Sequence, residues 1–226
     1  MNSKIKLSAS IICANILNLE KDLKLINQNK FDYIHFDIMD GHFVQRIGFD
    51  TLLIKELTKS QSTPVEVHLM VTDPERYIEE IVNNGASIIT FHYETGKDIY
   101  HIVQKIKNNK VKVGIALRPF TPISVINNFI EYIDVILLMA YSPGVTGQKP
   151  ILNFERRIRE VKKLIIRRNL NNIDIAVDGG ITISNLKLYE ENGANFFILG
   201  TSALFVPGKD PSDQIDKINR ILNRKI

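Results

Sequence analysis

Short apolar segments rich in Ile and Val recur along the chain about every 25 to 30 residues, separated by longer segments of helical periodicity. Each is about five residues long and apolar on both faces, which is typical of strands buried in a parallel sheet. The predicted strands are Leu7–Ile11, Tyr33–Asp37, Val65–Leu69, Ile88–His92, Val113–Leu117, Val135–Met139, Ile173–Val177 and Phe196–Leu199. This spacing restricts the chain to folds in which a crossover helix follows each strand.

A helix is predicted in each interval and after the last strand. The predicted helices are Leu17–Gln28, Thr51–Thr58, Arg76–Asn83, Ile99–Asn108, Ile123–Tyr132, Glu155–Arg168, Ser184–Glu191 and Ser212–Asn223. Eight strands alternating with eight helices favour a closed (β/α)8 barrel, the TIM barrel of the α/β class, because open doubly wound sheets usually stop at about five to seven strands. The alternative, an open Rossmann-like sheet, favours a Gly-rich turn after the first strand, and Ile11–Asn15 contains no glycine.

Composition is compatible with one barrel domain over residues 1–226. Hydrophobic residues make up 44% of the chain and charged residues 24%, which argues against disorder and coiled coil. The net charge of +4 is small, and the basic residues of the predicted helix Glu155–Arg168 have no interleaved aromatic residues, so we expect no nucleic-acid partner.

The single cysteine, Cys13, cannot form an intramolecular disulfide, which favours a reducing compartment. No signal peptide is evident at the start, and the apolar runs are far shorter than the roughly 20 residues needed to cross a bilayer. We expect a cytoplasmic protein without a membrane partner.

Polar residues stand at the carboxyl ends of four predicted strands, where barrel enzymes carry their reacting groups. These residues are Ser10, His35, Asp37, His68 and Asp178. His35 and Asp37 are two positions apart on one strand, so their side chains point to the same face. Two imidazoles and two carboxylates suit one divalent ion such as Zn, Fe, Co or Mn. The alternative is a set of inward polar residues paired only with one another.

Glycines follow the last strands ahead of predicted helices. Their backbone N–H groups can hold a phosphate, which points to a phosphorylated substrate, although ordinary tight turns are the alternative. The candidate phosphate-binding residues are Gly179 and Gly180, then Gly200, Thr201 and Ser202, and, after the sixth strand, Gly144, Val145, Thr146 and Gly147.

Six ordered motifs between Leu7 and Phe205 resemble the ribulose-phosphate 3-epimerase family, including its ketohexose-phosphate relatives. They are SASII at 8–12, HFDIMDGHFV at 35–44, VHLM at 67–70, Met139 with Pro143-Gly144 and Gly147-Gln148, VDGG at 177–180 and GTSALF at 200–205. The resemblance implies a barrel of the ribulose-phosphate-binding type and a homo-oligomer, either a dimer or a hexamer.

The resemblance also implies roles for individual residues. His35, Asp37, His68 and Asp178 would hold the metal, and Asp37 and Asp178 would exchange a proton with C3 of a phosphorylated 2-ketose. Further positions match substrate-contacting residues of the family: Ser10, Met39, Met70 and Met139. The expected substrates are D-ribulose 5-phosphate with D-xylulose 5-phosphate, or D-allulose 6-phosphate with D-fructose 6-phosphate. Some features resemble the allulose-6-phosphate branch, but the sequence leaves this choice open, and an epimerase for another phosphorylated ketose is the alternative.

Three departures from the family pattern fall where the mouth of the barrel is expected. Gln45–Gly48 replaces a loop that commonly contains proline and asparagine, and Arg118 stands where asparagine usually precedes proline. Tyr141 replaces a small or β-branched residue, and Ser142 replaces Asn, Asp or Glu. We predict that Arg118 binds substrate by reaching a phosphate, or pairs with Glu66 or Asp37; the alternative is a solvated arginine at the rim.

Two other functions fit a sugar-phosphate barrel. A metal-free decarboxylase or aldolase would need a lysine at the reaction centre, where DIMD at 37–40 offers methionine. A sugar-phosphate sensor that had lost its chemistry predicts disruption among the four metal ligands, and all four are present.

Overall fold

The computed structural model describes residues 4–145 and 147–224, which form a closed barrel of parallel strands in sequential order. The strands are β1 (Lys6–Ser10), β2 (Tyr33–Met39), β3 (Val65–Met70), β4 (Ile88–His92), β5 (Lys112–Leu117), β6 (Val135–Met139), β7 (Asp174–Asp178) and β8 (Phe196–Leu199). The barrel closes where β1 pairs with β8. The predicted (β/α)8 fold is confirmed.

All eight predicted strands are present, with ends within two residues of those predicted. The largest difference is at β2, which continues past Asp37 because Ile38 and Met39 remain in register with Leu69 and Met70 of β3. Residues buried on both faces carry no alternating polar signal, so the periodicity marks these strands but not their last residues.

Seven α-helices pack around the barrel in the part of the chain that the structure describes. They are α1 (Leu19–Gln28), α2 (Leu52–Ser60), α3 (Ile78–Asn83), α4 (Ile99–Lys107), α5 (Phe154–Arg167), α6 (Ile183–Glu191) and α7 (Pro211–Ile221). None of the helices described here has the length and apolar character needed to span a bilayer.

The predicted helix Ile123–Tyr132 is wrong. Two short 3-10 turns, Ile123–Ile126 and Ile130–Tyr132, take its place between β5 and β6. Asn127 and Asn128 lie between the two turns, and asparagine side chains compete for backbone hydrogen bonds and disfavour helix interiors. The apolar residues of the segment still pack on the barrel, because Ile123, Ile126 and Ile130 are buried.

Apolar side chains fill two separate layers. The larger layer lies between the strands and the surrounding helices, and α5 shows how it forms: Phe154, Ile158, Val161 and Ile165 recur at helical spacing and are all buried. A smaller cluster includes Ala116, Leu137, Met139, Ala176 and Phe196 on alternate strand positions.

Strand register places the predicted site residues side by side. Ser10 pairs with His35 across β1 and β2, and Asp37 pairs with His68 across β2 and β3. Asp178, the last residue of β7, is in register with Met139 of β6. The sheet itself therefore sets the spacing of these side chains.

Candidate active site

A cavity opens at the carboxyl ends of the strands, where the sequence predicts the reacting groups. Its lining contains six predicted site residues that lie at or near the ends of five strands: Ser10, Asp37, Met39, Met70, Met139 and Asp178. The structure thus brings residues from distant parts of the chain to one cavity.

Two histidines and two aspartates converge beside this cavity. Nε2 of His35 lies 3.0 Å from Oδ1 of Asp37, and Nδ1 of His68 lies 3.4 Å from the same oxygen. Oδ2 of Asp178 lies 3.9 Å from Nδ1 of His68. His35, His68 and Asp178 each offer one nitrogen or oxygen atom, and these three atoms lie within 4.8 Å of one another. All four predicted metal ligands are therefore neighbours.

A third carboxylate, Glu66 of β3, orients His35. Oε1 of Glu66 contacts Nδ1 of His35 and accepts a hydrogen bond of 2.9 Å from the hydroxyl of Ser8. Nε2 of His35 faces Asp37, so each nitrogen of the ring contacts one carboxylate. Glu66 thus fixes the side of the imidazole that faces the cluster.

The two aspartates have pKa values displaced in opposite directions. Burial acts to raise the pKa of Asp37, but the positive charge and hydrogen bond of His35 outweigh burial and lower it. Burial raises the pKa of Asp178; His35 opposes that rise, and the charge of Asp37 adds to it. Unequal environments of this kind separate the pKa values of two carboxylates in one site.

The donor set fits a divalent ion. Nδ1 of His68 is buried and has no hydrogen-bond partner within the described residues, and a buried polar atom is costly to leave unpaired. Imidazole nitrogen and carboxylate oxygen are ligands that Zn, Fe, Co and Mn accept in common. The group His35, His68 and Asp178 could hold such an ion, and Asp37 is in contact with both histidines.

Methionines form an apolar wall around the reacting groups. Met39 and Met70, which are register partners on β2 and β3, pack with Val44, and Met139 joins the neighbouring interior cluster. All three methionines are buried and line the cavity. Polarisable apolar side chains in these positions exclude water from the carboxylates.

The predicted phosphate turns border the same cavity. Seven of the residues concerned line it: Gly144, Val145, Gly179, Gly180, Gly200, Thr201 and Ser202. Gly147 lies exposed on the turn after β6, and Thr146 lies outside the described residues. At Gly179, where φ is +96°, an added Cβ would come within 3.1 Å of the ring of Tyr141, so a larger residue would be strained in its backbone and tightly packed against that ring.

The structure holds Arg118 away from the acidic groups that the sequence suggested as partners. Its guanidinium stacks over the ring of Phe43, 4.1 Å from the centroid, and donates a hydrogen bond of 3.1 Å to the carbonyl of Phe43. In the described structure neither Glu66 nor Asp37 forms an ion pair with Arg118; their ion-pair contacts are with the histidines.

Two residues whose roles the sequence left unassigned line the cavity: Arg46, from the altered loop after β2, and Tyr141, after β6. Burial raises the pKa of Tyr141, so it stands beside Asp178 as a neutral phenol. Both occupy positions that depart from the family pattern, and this departure is the sequence feature that could have identified them as cavity residues.

Comparison with known proteins agrees with this geometry. A profile described as the ribulose-phosphate 3 epimerase family matches residues 6–205. Ribulose-phosphate 3-epimerase of Bacillus subtilis strain 168 is 35% identical over 198 residues, covering 88% of this chain and 91% of its own length. Ribulose-phosphate 3-epimerase of Escherichia coli K12 is 35% identical over 200 residues, covering 88% of each protein.

Among solved structures, phosphoribosyl anthranilate isomerase from Thermus thermophilus superposes with a TM-score of 0.69 over 97% of this chain and 98% of its own. Its 13% sequence identity makes this a likeness of fold alone. The match over residues 6–205 and the identities of 35% carry the assignment: the chain belongs to the ribulose-phosphate 3-epimerase family and is an enzyme of the isomerase class.

Proposed function

We propose that this chain is a metal-dependent epimerase that inverts C3 of a phosphorylated 2-ketose, with Asp37 and Asp178 acting on opposite faces of that carbon. The observation that most supports the proposal is that these two carboxylates, from β2 and β7, line one cavity together. Inversion needs one group to take the C3 proton and another to return a proton from the other face.

Asp37 is suited to take the first proton. Its Oδ1 faces His35 and its Oδ2 accepts a hydrogen bond of 3.2 Å from Ser10, which keeps the carboxylate ionised and oriented. Asp178, whose pKa burial raises, is suited to deliver the second proton. In the reverse reaction the two aspartates exchange roles.

Removing a proton beside a carbonyl group leaves an enediolate, whose negative charge must be stabilised. A divalent ion held by His35, Asp37, His68 and Asp178 would supply that stabilisation as a Lewis acid. Met39, Met70 and Met139 keep bulk water away from C3, which limits unproductive protonation.

The phosphate of the substrate would bind at the turns after β7 and β8, where Gly179, Gly180, Gly200 and Ser202 border the cavity. Arg46 is the cation in the lining and would add to binding of an anionic substrate. We retain two candidate substrate pairs, the pentulose 5-phosphates ribulose and xylulose and the hexulose 6-phosphates allulose and fructose. Arg118 as a direct substrate ligand, a cytoplasmic location and a dimer or hexamer stay predictions.

The test is epimerisation in deuterated water by metal-loaded protein, with D-ribulose 5-phosphate and D-allulose 6-phosphate compared side by side. We expect inversion with deuterium at C3 for one pair at least. Asp37→Asn and Asp178→Asn should each lower inversion by about 10²–10⁴-fold. In each variant the remaining aspartate should still exchange the C3 proton of one epimer without inverting it.

Inversion at the wild-type rate in either variant would contradict the assignment of the two aspartates. Binding of both sugar phosphates by wild-type protein of full metal content, without any C3 exchange, would favour a sensor over an enzyme.

A further inference from the structure

A second histidine stands directly behind His68. Nε2 of His92, the last residue of β4, lies 3.0 Å from Nε2 of His68, and both rings are fully buried. The planes of the two rings are inclined by 29°, with centroids 5.1 Å apart. Because the two nitrogens are within hydrogen-bond distance, one of them carries a hydrogen and the other a lone pair.

Glu94 decides which nitrogen carries the hydrogen. Oε2 of Glu94 lies 3.1 Å from Nδ1 of His92, and an ionised carboxylate only accepts hydrogen bonds. Nδ1 of His92 therefore donates to Glu94, and Nε2 of neutral His92 accepts from Nε2–H of His68. The remaining lone pair of His68 lies on Nδ1, the nitrogen that faces Asp37 and Asp178.

Glu94 is itself held in place by the loop after β5. Its Oε1 accepts a hydrogen bond of 2.9 Å from the backbone N–H of Arg118 and a second from the hydroxyl of Thr121. The ring of Phe43 covers His92 with centroids 4.8 Å apart, and the guanidinium of Arg118 lies on that ring. Arg118 thus anchors both neighbours of His92.

We propose that His92 and Glu94 are positioning residues, which fix the tautomer and orientation of His68 so that its Nδ1 is free to bind the divalent ion. This inference rests on the metal site proposed above. It makes two carboxylates support the two histidine ligands, Glu66 directly behind His35 and Glu94 through His92. Hydrogen bonds of this kind typically change metal affinity by about 10- to 100-fold when removed.

Glu94→Gln gives the sharpest test because it keeps the shape of the side chain. The amide oxygen should stay with the N–H of Arg118 and the hydroxyl of Thr121, which leaves the amide N–H₂ facing Nδ1 of His92. That arrangement reverses the chain of donors, so the hydrogen of His68 should move to Nδ1. The matched control is Glu75→Gln, because Glu75 pairs with the exposed His101 at 3.3 Å on the protein surface.

Two readouts separate the inference from the proposed metal site. Nitrogen-15 NMR of histidine-labelled, metal-free protein at pH 8.5 reports the tautomer of His68, and competition with a chelator reports the Kd for Zn²⁺. We expect an Nε2–H tautomer of His68 in wild type and in Glu75→Gln. In Glu94→Gln we expect an Nδ1–H tautomer and a Kd raised by about 10- to 100-fold.

An unchanged His68 tautomer, or a Kd within about twofold of wild type, in Glu94→Gln would overturn the inference. Wild-type protein that bound no Zn²⁺ would overturn the proposed metal site. The tautomer of His68 would still show whether Glu94, acting through His92, sets which nitrogen of His68 carries the hydrogen. If Glu94→Gln does not fold, His92→Gln and His92→Leu replace it: an amide can accept from His68 and leucine cannot, so equal Zn²⁺ affinity in these two variants would also refute the inference.

Discussion

Ser10 donates a hydrogen bond of 3.2 Å to Oδ2 of Asp37, the carboxylate oxygen that points away from His35. The other oxygen, Oδ1, lies 3.0 Å from Nε2 of His35. The two oxygens of the proposed base therefore have separate partners, one neutral and one able to carry positive charge. The contact with His35 follows from a separation of two residues on one strand, whereas Ser10 reaches Asp37 across the β1–β2 pairing.

Ser10→Ala should lower kcat by about 10- to 100-fold, because a hydrogen bond to a charged group contributes about 1.5–3 kcal/mol. The substitution removes the hydrogen bond that orients the side chain of Asp37 and leaves the secondary structure intact, so the far-UV circular dichroism should remain unchanged. Steady-state kinetics on the preferred ketose phosphate measure the effect. Ser212→Ala, on the exposed first turn of α7, is the control, and an equal decrease in both variants would refute a specific role for Ser10.

Removal of divalent metal should abolish epimerisation and lower thermal stability. A ligand that binds only the folded state adds about 2.7 kcal/mol at a concentration 100 times its Kd. We expect dialysis against a chelator to lower Tm, and re-addition of Zn, Co, Mn or Fe to restore both Tm and turnover to degrees that identify the preferred ion. Full activity in protein that contains no metal by elemental analysis would contradict the metal site.

Gly114→Ala should destabilise the barrel by about 1–3 kcal/mol through overpacking. Gly114 of β5 is in register with Thr90 of β4, and an added Cβ would clash with Oγ1 of Thr90. The measurement is the free energy of unfolding in urea. Thr90→Ala in the same chain should recover part of the loss, and strict additivity of the two substitutions would exclude this contact as the cause.

Asp40→Asn should make stability less sensitive to acid. Partial burial acts to raise the pKa of Asp40, but the hydroxyl and N–H of Thr72, with the N–H groups of His42 and Phe43, lower it to about 2. Because the folded-state pKa is depressed, this contribution is present above the unfolded pKa of about 4 and is lost as pH falls toward 2.

We expect Asp40→Asn to cost about 1 kcal/mol at pH 7 and much less near pH 2, since solvent screens this partly exposed site. Urea unfolding at several pH values between 2 and 7 measures the difference. For Asp216→Asn, at an exposed position of α7, the difference from wild type in the free energy of unfolding should not shrink as pH falls. A cost for Asp40→Asn that stayed constant down to pH 2 would contradict the prediction.

The sequence predicts the barrel because its strands are apolar on both faces and evenly spaced. Both features can be recognised in the sequence without knowledge of packing. It fails at Ile123–Tyr132, where apolar spacing suits a helix but Asn127 and Asn128 interrupt it. Pattern alone does not reveal that two separate turns can bury the same isoleucines.

In the site, the sequence identifies residues that match a motif but not the residues behind them. Glu66 lies two positions before His68 on β3, so the alternation of strand side chains places both on one face. Glu94 lies in the 3-10 turn Tyr93–Thr95 after β4, where that alternation does not apply. Their partners, however, are set by register and ring orientation across strands. The orientation of Arg118 toward Phe43 likewise depends on the meeting of two loops, which residue type cannot specify.

The pairing of β1 with β8 has a consequence for synthesis of the chain. Leu7 is in register with Phe197, so a ribosome must translate nearly the whole barrel before the first strand gains its second neighbour. Until then β1 has an open edge able to pair with another strand. Lys6 meets Asp174 of β7 only at this late stage. A nascent fragment that ends before β8 therefore lacks the strand that closes the barrel, and the edge of β1 stays without that partner.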